Sequence, residues 1–77
     1  ISREELSVRE HMSIVLRKLQ GQRFVEFGDL FDPRRGAQVL VVTFIAMLEL
    51  AKETLIELTQ AEAFAPIYVR LAYSPAS

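Results

Sequence analysis

An α+β fold is predicted by three features of this 77-residue chain. Two stretches carry apolar residues at helical spacing, and one of them is long and almost free of charge. Two later stretches alternate as strands do, joined by a short loop. Between the two helical stretches lies a segment broken by Gly21, Gly28, Pro33 and Gly36.

Ser7-Val8-Arg9-Glu10 has the pattern of a capping box. The Ser7 hydroxyl can accept from the Glu10 backbone N–H, and the Glu10 carboxylate can return to the Ser7 N–H. Val8, Met12, Val15, Leu16 and Leu19 then recur at helical spacing. Arg17 and Lys18 suit the negative end of the helix dipole, and Gly21 suits the residue that follows a helix. A first helix over residues 8–20 follows. Phe24-Val25-Glu26-Phe27 predicts a short strand, which Gly28-Asp29 breaks. Asp29 is expected to cap a brief helical turn through Leu30 and Phe31. Asp32-Pro33 ends that turn, because the residue before proline avoids the α region. Arg34-Arg35-Gly36 reads as a loop, and a long helix spans residues 37–55. Residues 56–60 and 67–73 read as strands joined by a loop over 61–66. In the last strand Ile67, Val69, Leu71 and Tyr73 alternate with Tyr68, Arg70 and Ala72, and Pro66 suits its start. Residues 74–77 read as a frayed tail.

The order is helix, short strand, short helix, long helix, strand, loop, strand. That is the order of a winged helix: three helices plus a small three-stranded antiparallel sheet, with a helix-turn-helix core and an appended hairpin. The expected core is Leu16, Leu19, Phe27, Leu30, Phe31, Phe44, Leu48, Ile56, Leu58, Val69 and Leu71.

The long helix carries two apolar stripes. At about 100° per residue, Leu40, Phe44, Met47, Leu48, Ala51 and Leu55 fall on one, which is expected to face the core. Val39, Val42, Ala46 and Leu50 fall nearly opposite. A domain this small cannot easily cover both, so the second stripe is expected to face a partner; the alternative is that the first helix or the missing part of the parent chain covers it.

Length and composition fit one domain over residues 1–77, with 51% hydrophobic residues arguing against disorder. The first residue is Ile1, so the chain is read as a piece of a longer one, its C-terminal fragment once the resemblance described below is taken into account. There are no cysteines, which excludes disulfide frameworks and thiolate metal sites. No apolar run reaches the ~20 residues that span a bilayer, and no membrane role is expected. Net charge is −1 and unevenly spread. Residues 1–36 hold seven Lys/Arg and six Asp/Glu, whereas residues 37–77 hold two and four.

Those charges weigh against a nucleic-acid reader. A recognition helix offers cations and amides to phosphates and base edges. The long helix has Lys52 as its one cation, and the loop after it has Glu62 and no cation. Arg34 and Arg35 read as a solvated loop pair. Catalysis has no support either. His11 is the only histidine and is read as a surface or boundary residue, while Glu26, Asp29 and Asp32 have no histidine or glycine-loop partner. No catalytic residue, metal ligand or cofactor is expected. Association with a protein remains. The candidate partner-binding residues are Val42, Ala46 and Leu50 on the outward stripe, with Phe64, Tyr68 and Arg70 on the hairpin. For Phe64 the alternative is folding over the sheet edge; for Tyr68 and Arg70 it is stacking on one another.

Three segments, RFVEFGDLF, VVTFIAMLELAKETLIELTQAEAF and PIYVRL, resemble the C-terminal domain of the bacterial kleisins, the segregation and condensation protein A (ScpA) family. SVREHM at Ser7–Met12 adds to the match, which covers residues 7–71; the loop over 32–38 is not aligned. The resemblance implies a winged helix that does not read DNA directly. It implies binding to the head of an SMC ATPase, with ScpB held by the missing part of the parent chain. The implied role is non-enzymatic, in chromosome condensation and partition at cell division. The implied place is the cytoplasm, at the nucleoid. Two other readings remain beside it: a DNA-binding winged-helix regulator, and a self-associating domain that forms a weak homodimer.

Overall fold

The computed structural model describes residues 7–73. The elements are α1 (Val8–Leu19), β1 (Val25–Glu26), two 3-10 turns (Phe27–Asp29 and Pro33–Arg35), α2 (Ala37–Lys52), β2 (Ile56–Gln60) and β3 (Ile67–Leu71). The α+β winged-helix order is present, with one difference. The expected short middle helix is replaced by the two 3-10 turns. Gly28, Pro33 and Gly36 punctuate this stretch too closely for an α-helix to propagate.

Caps set the helix limits. Ser7 is the N-cap of α1, its hydroxyl accepting from the Glu10 N–H at 3.1 Å. Gly21, at φ 75°, turns the chain after α1. Asp29 does not cap the following turn; Asp32 does, accepting from the Arg34 N–H at 3.0 Å, with Pro33 at the first turn position. At the far end of α2, Thr54 donates to the Ala51 carbonyl and Leu55 to the Leu50 carbonyl, both at 2.9 Å. That is a Schellman closure, with Thr54 left-handed at φ 61° where glycine is usual. It ends α2 at Lys52, before the expected Leu55. Thr54 and Phe64 are the non-glycine residues with positive φ, each costing about 1–2 kcal/mol relative to a relaxed backbone.

The sheet order is β1-β3-β2, all antiparallel. Ile56 pairs with Leu71, Leu58 with Val69 and Gln60 with Ile67, and Val25 joins the same row through Val69. This side packs on the helices. Glu57 pairs with Arg70, and Thr59 and Glu26 flank Tyr68, on the outer side. The expected alternation of the last strand therefore holds over residues 67–71. The expectation for residues 74–77 lies outside the described residues.

The core is Val15 and Leu19 from α1, Leu30, Met47 and Leu50, with Ile56 and Val69 from the sheet. Leu16, Phe27 and Leu71 pack against it as expected. The expected phase of the long helix is overturned. Val39, Val42, Thr43, Ala46, Met47 and Leu50 are buried, whereas Leu40, Phe44 and Leu48 are exposed. The two stripes are exchanged, except that Met47 and Ala51 stay on the core side as expected. Leu58, at the sheet edge, is also more exposed than a core residue. The cause lies in side-chain size. α1 packs closely on α2, and the arc with Ala46 and β-branched Val39, Val42 and Thr43 lets the two axes approach. The arc with Phe44, Leu40 and Leu48 would hold them apart.

Three stability measurements check this account. Ser7→Ala should cost about 0.5–2 kcal/mol through the lost cap, read as a lower urea midpoint. Leu50→Ala should cost about 2–5 kcal/mol, because Leu50 is 1% exposed. Phe44→Ala should cost only about 1–2 kcal/mol, as its ring is 40% exposed. A larger loss at Phe44 than at Leu50 would restore the opposite phase.

Candidate functional site

The exchange of stripes moves the candidate surface. Val42, Ala46 and Leu50 are core residues facing α1 and the sheet, not a partner. Leu50→Arg would bury a charge in the core and unfold the domain, so this residue does not report on binding. The solvent arc of α2 is instead formed by Leu40, Val41, Phe44, Ile45 and Leu48. At about 100° per residue these five span some 140° of the helix; no residue from Leu40 to Leu48 is charged, and Lys52 falls on the same arc one turn further on. Phe44 is held along one side by Phe27, ring to ring at 5.9 Å and nearly perpendicular. Phe27 meets Phe31 at 5.2 Å in turn. The arc therefore stands on a fixed aromatic base.

Phe64, Tyr68 and Arg70 are all exposed, as a partner surface requires. Phe64 does not fold over the sheet edge; its side chain is wholly in solvent. Tyr68 and Arg70 share the outer sheet face but do not stack on each other. Tyr68 takes the Phe24 ring edge to face at 5.2 Å. The Arg70 Nε and Nη2 donate to Glu57 Oε1 at 2.9 and 2.6 Å. Two shallow grooves flank the Phe24–Tyr68 pair, one toward Thr59 and Arg70, the other toward Lys18, Gln22 and Asp29. Phe24 was not among the expected site residues; its place two residues before Glu26, on the same face of the strand, is the signal that finds it.

The polar residues explain themselves locally. His11 is buried, and its Nδ1 lies 2.9 Å from the Ser7 carbonyl oxygen, so this nitrogen carries the proton and donates. The boundary reading of His11 thus becomes a structural one: the ring closes the first turn of α1. Arg34 reaches back to Asp32 through Nε at 3.1 Å and Nη2 at 3.3 Å. These side-chain bonds, then the Arg34 backbone N–H, hold the Asp32 carboxyl below the usual carboxylate range. Among the described residues no three His, Cys, Asp or Glu side chains converge as a metal site. No described helix is long and apolar enough to cross a membrane.

Fold and surface together define a class: a winged helix whose long helix presents an apolar arc where a nucleic-acid reader presents cations. The chain belongs to the family of segregation and condensation protein ScpA, whose sequence model matches residues 1–72. It is 47% identical over 70 residues to segregation and condensation protein A of Coxiella burnetii, covering 91% of this chain and 26% of that protein. The protein of the same name from Xylella fastidiosa (strain Temecula1) is 44% identical over 70 residues, covering 91% and 23%. That of Listeria monocytogenes (serotype 4a) is 46% identical over 72 residues, covering 91% and 28%. The chain thus spans about a quarter of the length of these relatives.

The Glu57–Arg70 pair lies on solvent, so its worth to the fold is small. Arg70→Ala should cost less than about 1 kcal/mol in equilibrium urea unfolding. A loss well beyond that would make the pair a structural support of the sheet.

Proposed function

We propose that this chain is the part of a chromosome segregation and condensation protein that binds the ATPase head of an SMC partner. The role is non-enzymatic: nucleotide chemistry belongs to the partner, and the chain supplies a docking surface. ScpB is assigned to parts of the protein beyond these 77 residues, and the assembly to the cytoplasm, at the nucleoid. The single observation that carries the reading is the apolar arc of Leu40, Val41, Phe44, Ile45 and Leu48, left open on a helix whose other side is core. An apolar centre with large side chains is the usual energetic core of a protein interface. Phe64, Tyr68 and Arg70 extend it onto the hairpin. The free edge of β2 can add a strand to a sheet in the head, since among the described residues β2 has a neighbour on one side only. The names of the relatives support the chromosome role.

Leu48→Arg tests the arc. Leu48 is exposed, so circular dichroism and the melting midpoint should stay at wild-type values. Affinity for the purified SMC head, read by calorimetry, should fall at least about tenfold, because an unpaired charge buried in an apolar contact costs more than the 1.4 kcal/mol that a factor of ten represents. Wild-type affinity would remove the arc from the interface. Duplex DNA should not be bound near physiological salt in fluorescence anisotropy. Micromolar binding that weakens steeply with salt would turn the reading toward a nucleic-acid regulator.

A further inference from the structure

We infer that Phe64 is a preorganised anchor, held out by the wing to enter an apolar pocket with a cationic rim on a folded protein. The inference rests on the SMC-head reading and adds to it the element that selects the partner. Phe64 lies in the turn Glu62–Ala65, which the Ala65 N–H closes on the Glu62 carbonyl at 3.0 Å. Its φ is 69°, a left-handed backbone that an aromatic residue rarely adopts. The Gln60 Nε2 donates to the Ala65 carbonyl at 2.8 Å and braces the loop from β2. The other wing residues are Ala61, Glu62, Ala63, Ala65 and Pro66, so nothing large in the wing can cover the ring. It stands fully in solvent.

Both features act against the free domain. Left-handed backbone disfavours a residue with a β-carbon, and an exposed ring gains nothing from burial. Glycine would remove both costs. The ring is useful only where another molecule buries it, and the closed turn means that little freedom is lost on docking.

Charge selects the kind of partner. Glu62 is the one charged residue in the wing, two positions from the ring. An anion there is repelled by the phosphates of DNA and by an anionic bilayer. In a symmetric wing-to-wing dimer, two Glu62 carboxylates would be drawn together. A protein pocket rimmed by Lys or Arg has the complementary charge.

The test titrates purified SMC head into wild-type chain, Phe64→Gly, Phe64→Ala and Thr54→Gly, with a melting curve for each. Thr54→Gly is the control, since Thr54 is left-handed and lies outside the wing. Both glycine variants should melt higher, by on the order of 4 °C, as the left-handed residue loses its β-carbon. Head affinity should fall at least tenfold for Phe64→Gly and Phe64→Ala and stay unchanged for Thr54→Gly. Wild-type affinity in Phe64→Gly overturns the anchor and leaves the head reading standing. Equal losses in Phe64→Gly and Thr54→Gly also overturn it, because the ring would not be the cause. No binding by the wild-type chain removes the head reading, and the anchor with it. Phe64-dependent binding to duplex DNA or to phosphatidylserine vesicles, without binding to the head, would assign the ring to those surfaces and refute the protein pocket.

Discussion

Helix α2 has more apolar surface than a domain of this size can cover, and the rest of the architecture follows from which side is hidden. The 16-residue helix is apolar on two opposite arcs. α1 and the inner sheet face can pack on only one of them. The arc with Ala46, Val39, Val42 and Thr43 wins because it lets α1 come close, and close packing gains dispersion contacts along both helices. Leu40, Phe44 and Leu48 are left outside by the same choice. Core and docking surface are therefore one decision: whatever narrows the α1–α2 gap also determines what the domain shows to solvent.

The sheet face and the helix arc differ in how far they satisfy themselves. On the outer sheet face Arg70 is paired with Glu57 and Tyr68 with Phe24, so each side chain already has a partner within the domain. On α2 only Phe44 has such support, through Phe27, and Leu40, Val41, Ile45 and Leu48 add exposed apolar surface around it. The wing is the extreme case, with Phe64 uncovered and its backbone left-handed. The uncovered apolar surface is thus concentrated on α2 and the wing tip, whereas Tyr68 and Arg70 are already engaged within the sheet.

Local chemistry was legible in the sequence wherever one residue type has one use. The Ser7 cap, the turn at Gly21, the limits of β2 and the alternation through Ile67, Val69 and Leu71 all rest on short-range rules that tertiary packing did not alter. The middle segment was half legible: its breaks were visible, but Asp32 rather than Asp29 became the cap, because Pro33 at the next position preorganises the turn. The phase of α2 was not legible from periodicity. A helix apolar on both sides has almost no periodic contrast, so spacing alone could not choose between the arcs. Side-chain volume could have chosen, since the small Val39, Val42, Thr43 and Ala46 lie on one arc and the larger Leu40, Phe44, Ile45 and Leu48 on the other. His11 was misplaced for a similar reason. A polar ring suggests the surface, but its position four residues after Ser7 lets it bond that carbonyl inside the first turn.

A winged helix is usually met as a nucleic-acid reader, and the solvent side of this long helix differs from that of a reader. The scaffold needs a long helix packed on α1 and a hairpin on the sheet edge; neither requirement concerns the solvent side of the helix. On that side a reader invests cations, which interact at a distance and weaken with salt. Here the same side carries Leu40, Val41, Phe44, Ile45 and Leu48, whose attraction is short-ranged and grows with area removed from water. Such a face offers a polyanion little, with Lys52 as the one cation on the helix, and it complements another surface chiefly through shape. Glu62, the one anion of the wing, lies two positions from the exposed Phe64 ring, and a carboxylate so placed is repelled by phosphate surfaces and complements a cationic one.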